Sequence, residues 1–182
     1  MTVPSKIEDL FSIMGRRNTN LVSDLISQKP GLFDELFMVY LRNEEPVSRR
    51  AAWVIDTFTE KNPGLLDLHI HKIIGMLPQF RHDGLKRHSL RILARSPLPS
   101  GDELGILITI CFDWLLSPKE AVAAKVYCME ILYRIAQQEP ALRKELADSI
   151  EWRINEESAG FKNRGLKLLR KLYAEMDGIR MA

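Results

Sequence analysis

The apolar positions along the chain recur at three- and four-residue spacing almost throughout. No stretch sustains an alternation of period two, and no Asn-Gly or Asp-Gly pair marks a hairpin, so the pattern predicts helices and no strands. Proline punctuates these helices near their first turns, in KPGLFDEL (Pro30), NPGLLDL (Pro63) and EPALRKEL (Pro140), where a missing N–H costs nothing; a further start is read at PSGDELGILI. Short polar turns lie between these starts: NEEP at 43–46, RHDG at 81–84, SPKE at 117–120 and NEES at 155–158. Each is followed by a second amphipathic helix, so the chain reads as a series of antiparallel helix pairs.

The second helices superpose without a gap. VSRRAAWVIDTF (47–58), LKRHSLRILARS (85–96), AKVYCMEILYRI (124–135) and FKNRGLKLLRKL (161–172) are offset by 38, 39 and 37 residues. One column is apolar (Val47, Leu85, Ala124, Phe161) and one small (Ala51, Ser89, Cys128, Gly165). Others are apolar again: Ala52, Leu90, Met129 and Leu166, then the pairs Val54-Ile55, Ile92-Leu93, Ile131-Leu132 and Leu168-Leu169. A recurrent small residue is what close helix–helix approach requires, and a period just under 40 residues in helix pairs is the mark of an α-solenoid.

On these columns, over about residues 30–175, the sequence resembles the HEAT/armadillo-like repeat superfamily, including its short bacterial members. The position just after the first apolar column, arginine in typical HEAT units, holds Lys86, Lys125 and Lys162 but Ser48 in the first unit, and the turn aspartate survives only as Asp83. The resemblance implies an all-α fold, a right-handed α-α superhelix of about four helix pairs. The units fall at 30–60, 62–95, 99–137 and 139–175, behind an N-terminal helical cap over 1–29, with a frayed tail at 177–182. The last helix is expected to turn Phe161, Leu168, Leu169, Leu172 and Tyr173 inward and Arg164, Lys167, Arg170 and Lys171 outward, as a terminal repeat does.

Charge changes this picture more than composition does. The 182 residues are 46% hydrophobic and 27% charged, with a net charge of +2, an ordinary globular balance. Divided by helix type, however, the first-helix segments (30–45, 62–82, 96–117, 138–157) hold fourteen acids and six bases. The second-helix segments (46–60, 83–95, 118–137, 158–176) hold six acids and fourteen bases. In the family the second helices line the concave side, so the resemblance implies a basic concave face and an acidic convex one. The polar columns of the second helices form one stripe per helix: Arg50/Trp53/Thr57, His88/Arg91/Arg95, Tyr127/Glu130/Arg134 and Arg164/Lys167/Lys171. Arg50, Trp53, His88, Arg91, Arg95, Tyr127, Arg134, Arg164, Lys167 and Lys171 are the candidate binding residues. The partner expected there is an acidic protein segment, with charge from the arginines and lysines and contact area from the aromatics. The alternative occupant is DNA or RNA, and opposite-sign helices can also simply pair along the stack.

Trp53 and Asp56, in RRAAWVID, invite comparison with the alkylpurine DNA glycosylases built from HEAT-like repeats. Those enzymes hold DNA in a basic concave channel with a tryptophan and an aspartate near the lesion, placed upstream of paired arginines on a separate helix. Upstream of Arg49 this chain has no tryptophan; Asp56 is expected instead to neutralise Arg91 or Arg95. No catalytic constellation stands out, so a non-enzymatic module is expected.

No metal or cofactor is expected either. His69 and His71 lie two apart on different helix faces, His82 is in a turn, and no cysteine pair has ligand spacing. Glu44-Glu45 and Glu156-Glu157 precede second helices and are read as acids favourable at helix N-termini. Cys111 and Cys128 lie in apolar helical segments and are expected to be buried and reduced, and no export signal is visible, which suggests a cytoplasmic protein. The longest apolar run, Leu107–Phe112, is far short of the ~20 residues that span a membrane.

Overall fold

The computed structural model describes residues 16–180, which are helical with no strand among them. The helices are α1 (Arg16–Gln28), α2 (Leu32–Leu41), α3 (Val47–Thr59), α4 (Ile70–Met76), α5 (Asp83–Leu93), α6 (Gly101–Leu116), α7 (Val122–Gln138), α8 (Leu142–Ile154) and α9 (Ala159–Arg180). Two compact units divide between Pro97 and Leu98, inside the SPLPS linker, where two prolines interrupt the helical pattern. Across that linker, α6 starts on Gly101 at φ +59, a left-handed conformation that suits glycine.

In the first unit α3 is the central element, packed against α2, α1 and α5. The cap reading of residues 1–29 is only partly within view, since residues 1–15 lie outside the described chain. What is described, α1, lies on α3 much as α5 does, and so takes a second-helix place. Residues 62–82, expected to carry one first helix, are broken: Pro63–Leu66 and Leu77–Gln79 are 3-10 turns, leaving α4 only seven residues. Pro63 and Pro78 account for this, because each removes a backbone donor and fixes φ. Rings fill the space beside α4, with His69 4.4 Å from the Phe37 ring and Tyr40 5.4 Å from Phe80.

The second unit contains two helix pairs, α6 with α7 and α8 with α9, and α7 also packs on α8 and α9. The small column is fully enclosed: Ala51, Ser89 and Cys128 have no exposed surface and Gly165 is buried. In the first unit this lets the Tyr40 hydroxyl meet the Ser89 hydroxyl at 2.7 Å inside the core; burial raises the Tyr40 pKa, so it stays a neutral phenol. The apolar columns are likewise buried except at Val47, which is half-buried, and at Leu166, which is 49% exposed. α9 is the last helix of the described residues, and none of the others covers that position. Tyr173, read as inward, is also largely exposed, and its hydroxyl donates to Glu151. Of the tail expected to fray at 177–182, residues 177–180 continue α9, which runs to Arg180 with no proline to stop it.

Two glycines give opposite predictions. A Cβ on Gly165 would sit 2.9 Å from Cγ2 of the fully buried Ile150, whereas a Cβ on Gly105, in mid-α6, meets nothing within 4 Å. Gly165→Ala should therefore destabilise by about 1–3 kcal/mol through overpacking. Gly105→Ala should stabilise by about 0.5–1 kcal/mol through helix propensity. Urea unfolding of both variants checks the pair of signs.

Candidate functional site: the second-helix face

The stripe residues fall in two sets, each on the second helices of one unit. In the first unit Arg50 and Trp53 are on α3, His88 and Arg91 are on α5, and Arg95 lies just past the end of α5. A buried carboxylate draws the last three together. Asp56 of α3 has no exposed surface. His88 Nδ1 lies 2.8 Å from its Oδ2, and Arg91 Nη1 donates to the same oxygen at 3.0 Å. Arg95 Nη1 is 2.7 Å from Oδ1, an ion pair poorly aligned as a hydrogen bond, while its Nη2 donates to the Asp56 main-chain carbonyl and to Thr59. Both carboxylate oxygens of Glu60 accept from Arg91 Nη2, at 3.1 and 3.2 Å. Asp56 thus does what the sequence suggested, neutralising bases of the next second helix.

The consequence for the stripe is a correction. His88 is buried, 6% exposed, with its ring against Asp56 on one side and stacked on Trp53 at 6.4 Å on the other. It supports the surface and does not form it, because an imidazole on this column reaches α3 before it reaches solvent. Arg91 and Arg95 are half-buried and their charges are offset by acids of α3, a second helix. Trp53 and Arg50 are half-exposed.

Burial drives the Asp56 carboxyl pKa up, but the hydrogen bond from His88 and the charge of Arg95 outweigh burial and hold it below the ordinary aspartate value.

In the second unit Tyr127 and Arg134 are half-buried on α7, and burial lowers the Arg134 pKa. Arg164 of α9 pairs with Glu130 of α7 at 2.8 Å. Lys167 and Lys171 are exposed, with the Lys171 ammonium 5.4 Å from the centre of the Tyr133 ring. Tyr133, which lies outside the stripe columns, donates to Glu175, which also binds Gln137.

A second buried ionic cluster escaped the sequence reading. Lys125 is 2% exposed and bonded to Glu157, which also accepts from Arg153 at 2.7 Å; Arg153 reaches Glu156 at 2.8 Å. Burial raises the Glu157 pKa, but the bonds from Lys125 and Arg153 lower it further than burial raises it. Glu156 and Glu157 are therefore ion-pair partners of neighbouring helices, contrary to the expectation of acids serving a helix N-terminus. Glu45 likewise pairs with Arg49 at 2.9 Å. Nothing in the column announced it, since Lys86 and Lys162 at the same position are only half-buried. Ser48, in the same column, closes its own turn by donating to Val39 O at 2.6 Å and accepting from Glu44 N.

Among the described residues no group of three His, Cys, Asp or Glu is placed to hold a metal ion. His69 packs on the Phe33 and Phe37 rings, and burial lowers its pKa. His82 accepts from Gly84 N at the start of α5. Cys111 and Cys128 are buried free thiols. No helix among the described residues is long and apolar enough to cross a membrane.

Stacked helix pairs with small, enclosed contact columns and ionic ties between successive second helices define a helical repeat protein. The HEAT repeat domain family matches residues 7–172, and the chain belongs to it. The match extends past the 30–175 of the column alignment to take in α1, in keeping with its place on α3. Comparison with curated proteins and with solved structures returns no match. HEAT repeats generally work as surfaces for protein–protein interaction or scaffolding.

Asp56→Ala should cost about 2–3 kcal/mol, because it removes the buried counter-charge that Arg91 and Arg95 share, while Glu60 still offsets Arg91. The pH dependence has a definite sign. Asp56 titrates lower in the folded chain than in the unfolded one, so its contribution is full above the ordinary aspartate value, about 3.9. That contribution is lost as pH falls through the lowered folded value. Urea midpoints at pH 7 and pH 3 should therefore lie closer together in Asp56→Asn than in the wild type.

Proposed function

We propose that the protein is a non-enzymatic interaction module that receives an acidic segment of a partner protein on the second-helix face of its first unit. The observation that carries this reading is the fixed aromatic–guanidinium surface of the first unit. The Trp53 ring lies nearly parallel to that of His88, offset, with 6.4 Å between their centres. The guanidiniums of Arg91 and Arg95 are anchored by Asp56, yet their side chains keep 35% and 28% of their surface exposed. Side chains ordered before binding lose little entropy on binding, which favours anchors of this kind. Asp56 itself is enclosed by three donors and so is poorly suited to act as a base.

One observation favours a second reading, nucleic-acid binding. Trp53 and Asp56 stand on α3 and the paired arginines 91 and 95 follow at the next second helix, joined to Asp56. That is the chain order of the HEAT-like alkylpurine glycosylases, found downstream of Trp53 at Arg91 and Arg95 and not at Arg49-Arg50. A base stacked on Trp53 beside these arginines fits the chemistry of single-strand or flipped-base binding.

Fluorescence polarisation with an Asp/Glu-rich peptide, a mixed-sequence DNA duplex and an RNA separates the readings. The acidic peptide is expected to bind, and several-fold more weakly to Trp53→Ala. Trp53 is half-exposed and makes no hydrogen bond to Asp56 itself, and circular dichroism checks that the variant folds. Duplex or RNA binding that exceeds peptide binding and depends on Trp53 would establish the second reading. Absence of all three would remove this face as a working surface.

A further inference from the structure

We infer that the first-helix layer of the second unit is a separate docking surface, with Trp152 as its anchor and an arginine- and lysine-rich protein segment as its occupant. Trp152 is 78% exposed near the C-terminal end of α8. The packing of α8 makes no use of the ring: Leu146, Ala147 and Ile150 are the buried apolar side chains of this helix. A large ring this exposed on a folded surface is the kind of feature that marks an interaction site. On the same side of α8, one and two turns back, stand Asp148 and Glu145, both exposed. The neighbouring first helix, α6, packs on α8 and adds exposed Ile106 and Leu116, at 50% and 40%.

Charge selects the occupant. α6 contains Asp102, Glu103 and Asp113 and no base. On α8 the two arginines are turned inward, Arg143 to Ala136 O and Glu175, Arg153 to Glu156 and Glu157. Lys144 is left as the exposed base of α8, and it is already paired with Asp148 at 2.7 Å. The layer is therefore acidic and apolar on a chain whose net charge is +2. A guanidinium can lie over the exposed indole face, its neighbours can meet the carboxylates, and the aliphatic stems of such side chains can cover Ile106 and Leu116.

The test uses the full chain and a fluorescein-labelled dodecapeptide of alternating arginine and glycine, with an aspartate–glycine dodecapeptide as control. Saturable binding of the arginine peptide alone is expected. It should weaken about fivefold in Trp152→Ala, be lost in Glu145→Lys/Asp148→Lys, and be unchanged in Lys167→Glu/Lys171→Glu, which alters the other face. All these positions are exposed, and circular dichroism checks that the variants fold. No binding, or equal binding by Trp152→Ala, overturns the inference. Sedimentation velocity supplies the other overturning result: a wild-type dimer that Trp152→Ala converts to monomer would make a second copy of this chain the occupant.

Discussion

A single carboxylate, that of Asp56, holds the first unit in register. It projects from α3 into the space between successive second helices and is met there by an imidazole and two guanidiniums from α5 and the turn that follows. A buried charge is tolerated only when it is paired and hydrogen-bonded, and once paired it is costly to disturb. The requirement fixes the rotation of α5 about its own axis, because His88 and Arg91 must reach one oxygen of Asp56. With that rotation set, Ser89 faces Tyr40 in the core and Leu85, Leu90 and Ile92 are enclosed. The same rotation lays Trp53 on His88. Stability and the proposed recognition surface thus rest on one interaction.

The second unit answers the same problem with different residues. Lys125 stands one position after the first apolar column, as a HEAT arginine does, and it is satisfied by Glu157 from the turn between α8 and α9. Arg153 shares that carboxylate, so the turn is pinned to α7 and to the end of α8. In both units a buried ionic tie links an element to the helix pair beside it. Such ties add directionality that apolar columns alone do not have, since hydrophobic contact is non-directional.

Internal pairing also redistributes the surface charge that composition suggests. Fourteen bases on the second helices imply a strongly basic face, but Asp56, Glu60 and Glu130 offset Arg91, Arg95 and Arg164. What projects outward from the stripe is aromatic and guanidinium surface in the first unit and two lysines in the second. On the first helices of the second unit the reverse happens: the arginines turn inward, the acids stay out, and Trp152 stands among them. The chain therefore offers two chemically distinct faces, and each needs its own partner chemistry.

The periodicity of the apolar residues was enough to determine the helix pairs, the superposable second helices and the enclosed small column, because burying one helical face is a local constraint written every three or four residues. The Asp56–Arg91/Arg95 link was also legible, since successive second helices of a repeat must lie side by side. Tertiary structure alone decided which polar columns reach water. His88 and Lys125 occupy positions that look solvent-facing by spacing, yet each is buried, because a carboxylate more than thirty residues away in sequence waits opposite it. The exposure of Leu166 was decided in the same way, by which of the described helices reach α9, whereas the break of 62–82 follows locally from Pro63 and Pro78. Spacing reports which side of a helix a residue is on; only the packed neighbours determine whether that side meets solvent.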